Sequence, residues 1–547
     1  MKLWFVILAA LGRPASAPDE GRSFGGAGDD KNPPVRQTLD AEMRAEWARQ
    51  KVTPAPLCDD ATFLRRVHLD LVATIPTPEE AETFLKDADP RKRTKLVDRL
   101  LADPRFARAQ ATEWDLVFFG RSNSNPDMRK RDGFVRWLTE KFEKNDPYDA
   151  WARELMLAEG NSAEQGAPLF LAQFRGQALD TAENVSRIFL GTQIRCARCH
   201  DHPSDRWTQL DFYGLAAFFT RLAVVEAGTV NGLKKIVVAE KSTGDLMFTG
   251  PAKDQKPGQK GEPISAKYLN GASLEEPPVP AGFKEPDFRN LKGPAPKPHF
   301  SRKEKAAHWL TSPENPFFAK AVLNRVWTQF FSRGFYNPVD DLRLDKPPSH
   351  PALFQALERE LVARKFDLRW LIREIVLSET YQRDSSGEVA DAKGGYDRFR
   401  LRPLTAEEMV AALKAATGFD AAAAANPGKT PLPSAFAEYT TRYFANVSDG
   451  RGDFQGNVSE RLYMNNSSQV RQLLSRKPGN LADRVLASTD PWEARVDRMF
   501  LAVLSRPPRD AERARFVKYL TGGPKPDALV EEAIWVLINC AEFRFNH

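Results

Sequence analysis

Along most of the chain, apolar residues recur at intervals of three and four, the spacing of helices with one buried face. The pattern sets in near Leu39. Thr77-Pro78-Glu79-Glu80 marks a helix start: a Thr cap, Pro at the first helical position, and acids against the positive end of the helix dipole. Val97, Leu100 and Leu101 continue an apolar stripe that stops near Asp103-Pro104. Trp114, Leu116, Val117 and Phe118 follow as a dense apolar segment. Phe134, Trp137, Leu138 and Phe142 then recur at helical spacing, as do Trp151, Leu155 and Met156. These aromatics predict core rather than a ligand-binding face.

After Arg221 the period changes. Val224-Val225, Ile236-Val237-Val238 and Leu246-Met247-Phe248 suit short strands, and the glycines between them (Gly228, Gly232, Gly244) predict a small antiparallel sheet. Residues 251–298 are broken by Pro, Gly and Lys and predict an extended insertion with little helix. Helix returns near Lys303, with strongly apolar turns from Phe317 to Phe331, Leu353 to Leu361 and Leu368 to Leu377. Thr405-Ala406-Glu407-Glu408 reads as a capping box. Ala421–Ala425 ends at Asn426-Pro427-Gly428, residues 427–460 look irregular, and the last helices fall over 491–504, 511–520 and 528–540.

The expected fold is therefore mainly α: a helical N-terminal domain with a small β-containing insertion, and a second, helical C-terminal domain. A length of 547 residues suits two or three domains. The divisions expected are 18–37 as a flexible tether, 38–221, an irregular β-containing stretch at 222–298, and 299–547. A hydrophobic content of 42% with 28% charged residues excludes wholesale disorder, and four cysteines exclude a disulfide-built miniature scaffold. The net charge of +6 is spread thin. Runs such as Arg91-Lys92-Arg93 read as solvated helix faces, so no nucleic-acid partner is expected.

Residues 1–17 have the order of a secretory signal: Met1-Lys2, a wholly apolar Leu3 to Leu11, and small residues in Ala15-Ser16-Ala17. The apolar run is too short to span a bilayer, and no later stretch approaches ~20 apolar residues. The expectation is an exported chain, periplasmic or secreted, with no transmembrane segment after cleavage. Export matters for the cysteines, because outside the cytoplasm thiols are usually oxidised or occupied.

One chemical signal is sharp. Cys196-Ala197-Arg198-Cys199-His200 is a C-x-x-C-H sequence, the attachment pattern of c-type haem. Two thiols three positions apart on one turn can each form a thioether to one vinyl group of the same porphyrin, and the adjacent His supplies the proximal nitrogen to iron. One covalent haem c is thus expected on Cys196, Cys199 and His200, with Asp201 and His202 as supporting neighbours. Three other uses of the motif stay open. These are a local Cys196–Cys199 disulfide, a zinc site that adds His202 although four donors within seven residues are cramped, and a redox-active dithiol without an evident βαβ context. His68, His299, His308, His350 and Met156 are candidates for a sixth ligand, and none is singled out. Cys58 and Cys540 are either free buried thiols or a bridge between the first helical region and the last.

Several segments resemble a known family. Phe63-Leu64-Arg65-Arg66-Val67-His68-Leu69-Asp70-Leu71, Ile75-Pro76-Thr77-Pro78-Glu79-Glu80 and Lys95–Leu101 resemble the opening of a domain of secreted planctomycete cytochrome-type proteins. So do Asn145–Asp149 and the stretch from Phe189-Leu190-Gly191 through the C-x-x-C-H motif to Asp205-Arg206-Trp207. Trp309–Phe318, Asn324–Trp327, Pro338–Asp341, Pro347–Pro351 and Arg402–Glu408 resemble the domain that accompanies it. Both domains have unknown function. The resemblance implies an exported, haem-linked protein with Cys196, Cys199 and His200 as attachment residues. Ser204 departs from the family's usual Phe, and no separate haem domain precedes the match.

The leading functional expectation is an exported mono-haem protein that passes electrons to a redox partner protein in the bacterial envelope. A second is an envelope scaffolding protein whose motif serves a disulfide or a non-haem metal. A third is a polysaccharide-active enzyme using acids such as Asp201, Asp205, Asp340 and Asp341. No G-x-S-x-G, phosphate-cradling glycine loop or H-E-x-x-H is present, so no catalytic motif is identified. Arg451-Gly452-Asp453 and the acceptor-like Asn446-Val447-Ser448 read as incidental.

Overall fold

Apolar stripes of the kind described above must be buried, and the helices that carry them do so in two hydrophobic cores. The computed structural model describes residues 34–121, 131–230, 233–250, 261–288, 295–343, 345–387, 395–419, 434–444 and 458–547. Residues 35–547 form one compact unit. The architecture is mainly α with small antiparallel sheets, and among the described residues no helix is long and apolar enough to cross a membrane.

The first core runs from Val35 to Phe399 and is built on aromatic edges. Trp114 meets Trp151 edge-on at 5.4 Å, and Phe118 meets Phe134 at 5.6 Å. Such contacts add roughly 0.5–1.5 kcal/mol each beyond area burial. The second core holds residues from Leu404 to Phe543, together with Leu69 and Ile75 from the start of the chain.

This partition differs from the expected division at 298/299. The helices Arg302–Leu310, Phe318–Phe331, Pro351–Ala363 and Leu368–Val376 turn their apolar faces into the first core. Tyr148 stacks on Phe318 at 4.9 Å, and Lys303 Nζ pairs with Glu159 at 2.6 Å. The change of core falls near residue 400. The expected tether also ends early, because Val35 and Leu39 are buried and open the helix Val35–Gln50. The signal-like segment 1–17, the tether up to residue 33, Ala421–Ala425, Asn446-Val447-Ser448 and Arg451-Gly452-Asp453 lie outside the described residues.

The helix starts at Thr77 and Thr405 are complete capping boxes, each Thr side chain accepting from the third helical N–H while a Glu side chain returns the bond. The strands expected after Arg221 form an antiparallel pair, Leu222–Val230 with Leu233–Glu240, in which Val224 faces Val238. Gly160–Asn161 adds a third strand against the second. The register shifts between Glu226 and Thr229, where Gly228 takes φ +97. Leu246–Phe248 pairs with Glu262–Ile264, and Arg402–Pro403 pairs with Phe545–Asn546.

Candidate functional site

The helix Ala178–Phe189 ends at Leu190, and Gly191 turns the chain with φ +60. Only glycine suits this point, since a Cβ there would lie 2.4 Å from Leu342 Cδ1. Ser186 Oγ donates to the Thr192 carbonyl at 2.8 Å, and Leu342 N donates to the Gly191 carbonyl at 2.7 Å. Buried Ile194 then leads into a single 3-10 turn, Arg195–Arg198.

That turn carries the two thiols. Three residues per turn in a 3-10 helix place positions i and i+3 on the same side. Ala197 is wholly buried beneath, whereas Cys196 and Cys199 are exposed and free. Arg198 is tied back to Asp180 at 2.8 Å, and Cys199 N donates to the Cys196 carbonyl at 3.4 Å. Small and apolar inside, reactive outside: the sequence Cys-Ala-Arg-Cys fits the turn it forms.

His200 is exposed, and its Nδ1 lies 2.7 Å from the Asp201 carbonyl. A carbonyl only accepts, so Nδ1 carries the proton and the Nε2 lone pair stays unengaged. This is the arrangement that fixes a metal-ligating imidazole in one tautomer. Asp201 also acts through its carboxylate, which accepts from Gln209 N at 2.8 Å at the head of the helix Gln209–Ala217. Thr208 and Asp211 complete a capping box there, and Lys267 pairs with Asp211 at 2.8 Å. His202 N donates to the Trp207 carbonyl at 2.8 Å, and His202 Nδ1 accepts from Ser204 N at 3.3 Å. His202 thus holds the loop closed in the opposite tautomer to His200.

The remaining acids are occupied in different ways. Asp340 is buried and accepts from Gln193 Nε2 at 2.7 Å, with Arg187 at 3.4 Å. Asp205 accepts from Arg206 N at 2.7 Å and faces Arg343 Nε at 3.8 Å. Burial pushes the Asp341 carboxyl up from its ordinary value, with Asp205 and Asp340 adding to the rise and Arg343 and His202 opposing it. Asp201 Oδ1 accepts from a backbone donor and both Asp340 oxygens accept from side-chain donors.

Of the sixth-ligand candidates, Met156 and His68 are wholly buried, and His68 Nδ1 donates to the Leu64 carbonyl at 2.8 Å. His350 is buried beside Tyr396 with Nδ1 3.0 Å from Ser349 Oγ. His299 and His308 are exposed, the latter beside Glu304. None shares a hydrogen bond, ion pair or ring contact with the Cys196–His200 turn among the described residues. Among the described residues no three His, Cys, Asp or Glu side chains are grouped so as to hold a metal ion.

Cys58 and Cys540 are free thiols packed against different cores, and the bridge envisaged between them is not formed. Burial raises both thiol pKa values. Three contributors to the site escaped sequence reasoning. Ala197 could have been found from its place between two exposed thiols, whereas Arg343 and Leu342 arrive from far along the chain, 139 residues after Ser204 and 151 after Gly191, with no local signal.

Residues 38–224 match the family profile PSCyt2, described as a protein of unknown function (DUF1549). Residues 302–443 match PSD1, described as a protein of unknown function (DUF1553). Two domains of these kinds are thus found in tandem. The second match begins in the first hydrophobic core and ends in the second. No curated protein and no solved structure matches the chain.

Proposed function

From this tandem pairing we propose that the chain is an exported c-type haem protein that exchanges electrons with a redox partner protein in the bacterial envelope. One observation carries the reading. Two exposed thiols share one side of a single turn, and the next residue is an imidazole whose Nδ1 is tied to a backbone carbonyl while Nε2 is unengaged. Cys196 and Cys199 would hold the porphyrin through thioethers, and His200 Nε2 would be the proximal ligand. When bound, the haem supplies a reversible one-electron iron couple.

The chain's own residues prepare that site. Ala197 anchors the turn in the core, so the thiols are presented by a fixed backbone. The Asp201 carbonyl orients the His200 ring and selects its tautomer, which also raises the basicity of the ligating nitrogen. The Asp201 carboxylate joins the loop to the helix Gln209–Ala217, which limits movement of His200. The N-terminal signal-like segment supports export, the compartment in which bacteria join haem to protein.

The test is expression of the full chain with its signal in a host carrying the haem-attachment machinery. A Soret band, a haem-stained band that survives denaturing electrophoresis, and a mass increase of one haem are expected. Cys196→Ala with Cys199→Ala should abolish all three. His200→Ala should keep a thioether-linked haem with an altered spectrum. An exported protein without haem and with a Cys196–Cys199 disulfide would sink the proposal and favour a scaffolding role.

A further inference from the structure

A cavity of about 750 Å³ opens between the helix Pro104–Phe119 and the helix Ala406–Thr417, beside the seam between the two cores. Sites that enclose a small organic molecule measure roughly 300–1,000 Å³. Leu69, Ile75, Leu116 and Val410 give it an apolar lining. Asp70 and Glu408 also reach the wall, but both carboxylates are taken by Arg402 at 2.7 Å. Glu407 is likewise taken, by a two-pronged pair with Arg121.

Two arginines on the wall are in the opposite condition. Arg484 is half-buried and makes no side-chain hydrogen bond among the described residues, and its Nε–H is shut from solvent without an acceptor. Its guanidinium lies over Gly418, where φ is +68 and a Cβ would come within 2.7 Å of Nη2. The glycine leaves the space the guanidinium occupies. Arg108, exposed on the cavity wall, makes no side-chain hydrogen bond or ion pair among the described residues, although its charge acts on Asp115. Gln110, 1% exposed, brings a carboxamide to the same wall. Glu79, Glu113 and Lys414 share the wall: the charge of Glu79 is answered by the first turn of its own helix, and Glu113 and Lys414 each have a partner.

We propose that this cavity binds an organic anion: an apolar body against the Leu69–Val410 lining, a polar group met by Gln110, and a carboxylate or sulfonate-type head held by Arg484 and Arg108. Arginine suits such a head because its planar fork pairs with two oxygens at once. The apolar lining excludes a simple inorganic anion as the best occupant, and the unpaired guanidiniums exclude a purely hydrocarbon one.

Equilibrium dialysis of the full chain against 8-anilinonaphthalene-1-sulfonate, and against N-phenyl-1-naphthylamine, which has the same body without the sulfonate, tests this. One saturable site per chain is expected for the sulfonate, with weaker binding of the neutral compound. Arg484→Gln should weaken the sulfonate about tenfold or more, the cost of a lost charge-assisted contact, and leave the neutral compound unchanged. Ala411→Trp, on the cavity wall, should block both. Circular dichroism confirms that each variant is folded. Equal binding of the two compounds by the native chain, or undiminished sulfonate binding by folded Ala411→Trp, overturns the proposal.

Discussion

Arg402 meets Asp70 across 332 residues of chain, its Nη2 2.7 Å from Asp70 Oδ1 in a site where both side chains are almost fully buried. The same guanidinium makes two further bonds to Glu408, each at 2.7 Å. Tyr381 Oη donates to Asp70 Oδ2 at 2.7 Å, and Asn546 Nδ2 donates to Oδ1 at 3.0 Å. Burial opposes the charge on Arg402, but Glu408 and Asp70 outweigh it and hold the guanidinium protonated. Asp70 belongs to the first helices, whereas Glu408 opens the helix Ala406–Thr417 in the second core. The network therefore joins the two cores at one point, beside the cavity.

Breaking this junction from its centre should be severe. Arg402→Met strands two buried carboxylates, a change worth roughly 3–5 kcal/mol. Urea unfolding of the full chain measures it. Replacing Asp70 and Glu408 by Leu in the same variant should recover a large part of the loss, because an apolar cluster no longer buries unpaired charge. No recovery would mean that the residues matter for shape rather than charge balance.

Acid should weaken the fold partly through Glu80. Its carboxyl is lowered to about 2, chiefly by His68, then by the Thr77 backbone N–H and Arg105, against the opposing effect of burial. A carboxyl depressed on folding contributes stability above its unfolded value, near 4.5, and loses it as pH falls toward 2. Melting temperatures from pH 7 to pH 2.5 should show Glu80→Gln less stable than the parent at neutral pH, with the gap closing below about pH 4.5. A gap constant across that range would exclude ionised Glu80 as its source.

Local signals were the legible part of this molecule. The capping boxes at Thr77 and Thr405 could be read because cap and acid lie within four residues, with a proline between them at Thr77. The strand pair after Arg221 could be read because apolar pairs alternate with turn glycines. The pentad at Cys196 is contiguous, so the grouping of two thiols and an imidazole was visible as well. Pairings between distant segments were not. Nothing in Arg402-Pro403 announces a strand, since a two-residue ladder with a proline needs its partner, Phe545–Asn546 at the far end of the chain, to exist. The boundary near residue 400 was hidden for the same reason: the helices from 302 to 376 have the same periodicity whichever core they enter. At the site itself, the tautomer of His200 depends on a carbonyl direction, which no residue pattern encodes.

The four cysteines should separate by reactivity. In chain made without haem under reducing conditions, a thiol-reactive dye should label Cys196 and Cys199 quickly, because both are exposed. Cys58 is buried with a raised pKa and should react only after unfolding, while half-buried Cys540 should react slowly. Four thiols should be counted in denaturant. Exported protein carrying haem should show two in denaturant, and none there would reveal a Cys58–Cys540 bridge formed outside the cytoplasm.

The turn that presents Cys196 and Cys199 should be sensitive to a methyl group five positions upstream. Gly191→Ala forces a Cβ onto a residue at φ +60 and into Leu342 Cδ1, which is itself buried. The left-handed backbone alone costs roughly 1–2 kcal/mol for a residue with a Cβ. Leu342 cannot move aside freely, because its N–H holds the Gly191 carbonyl at 2.7 Å. Relief must therefore shift either the segment Pro338–Leu342 or the turn that follows Gly191. The first shift would loosen Asp340 from Gln193 and Arg187, and the second would move the thiols. Either way, Gly191→Ala should lower the melting temperature and reduce the fraction of exported chain that carries haem. Heme staining against total protein reads the second effect, and a stability loss with unchanged haem loading would show that the turn holds its geometry independently of Gly191.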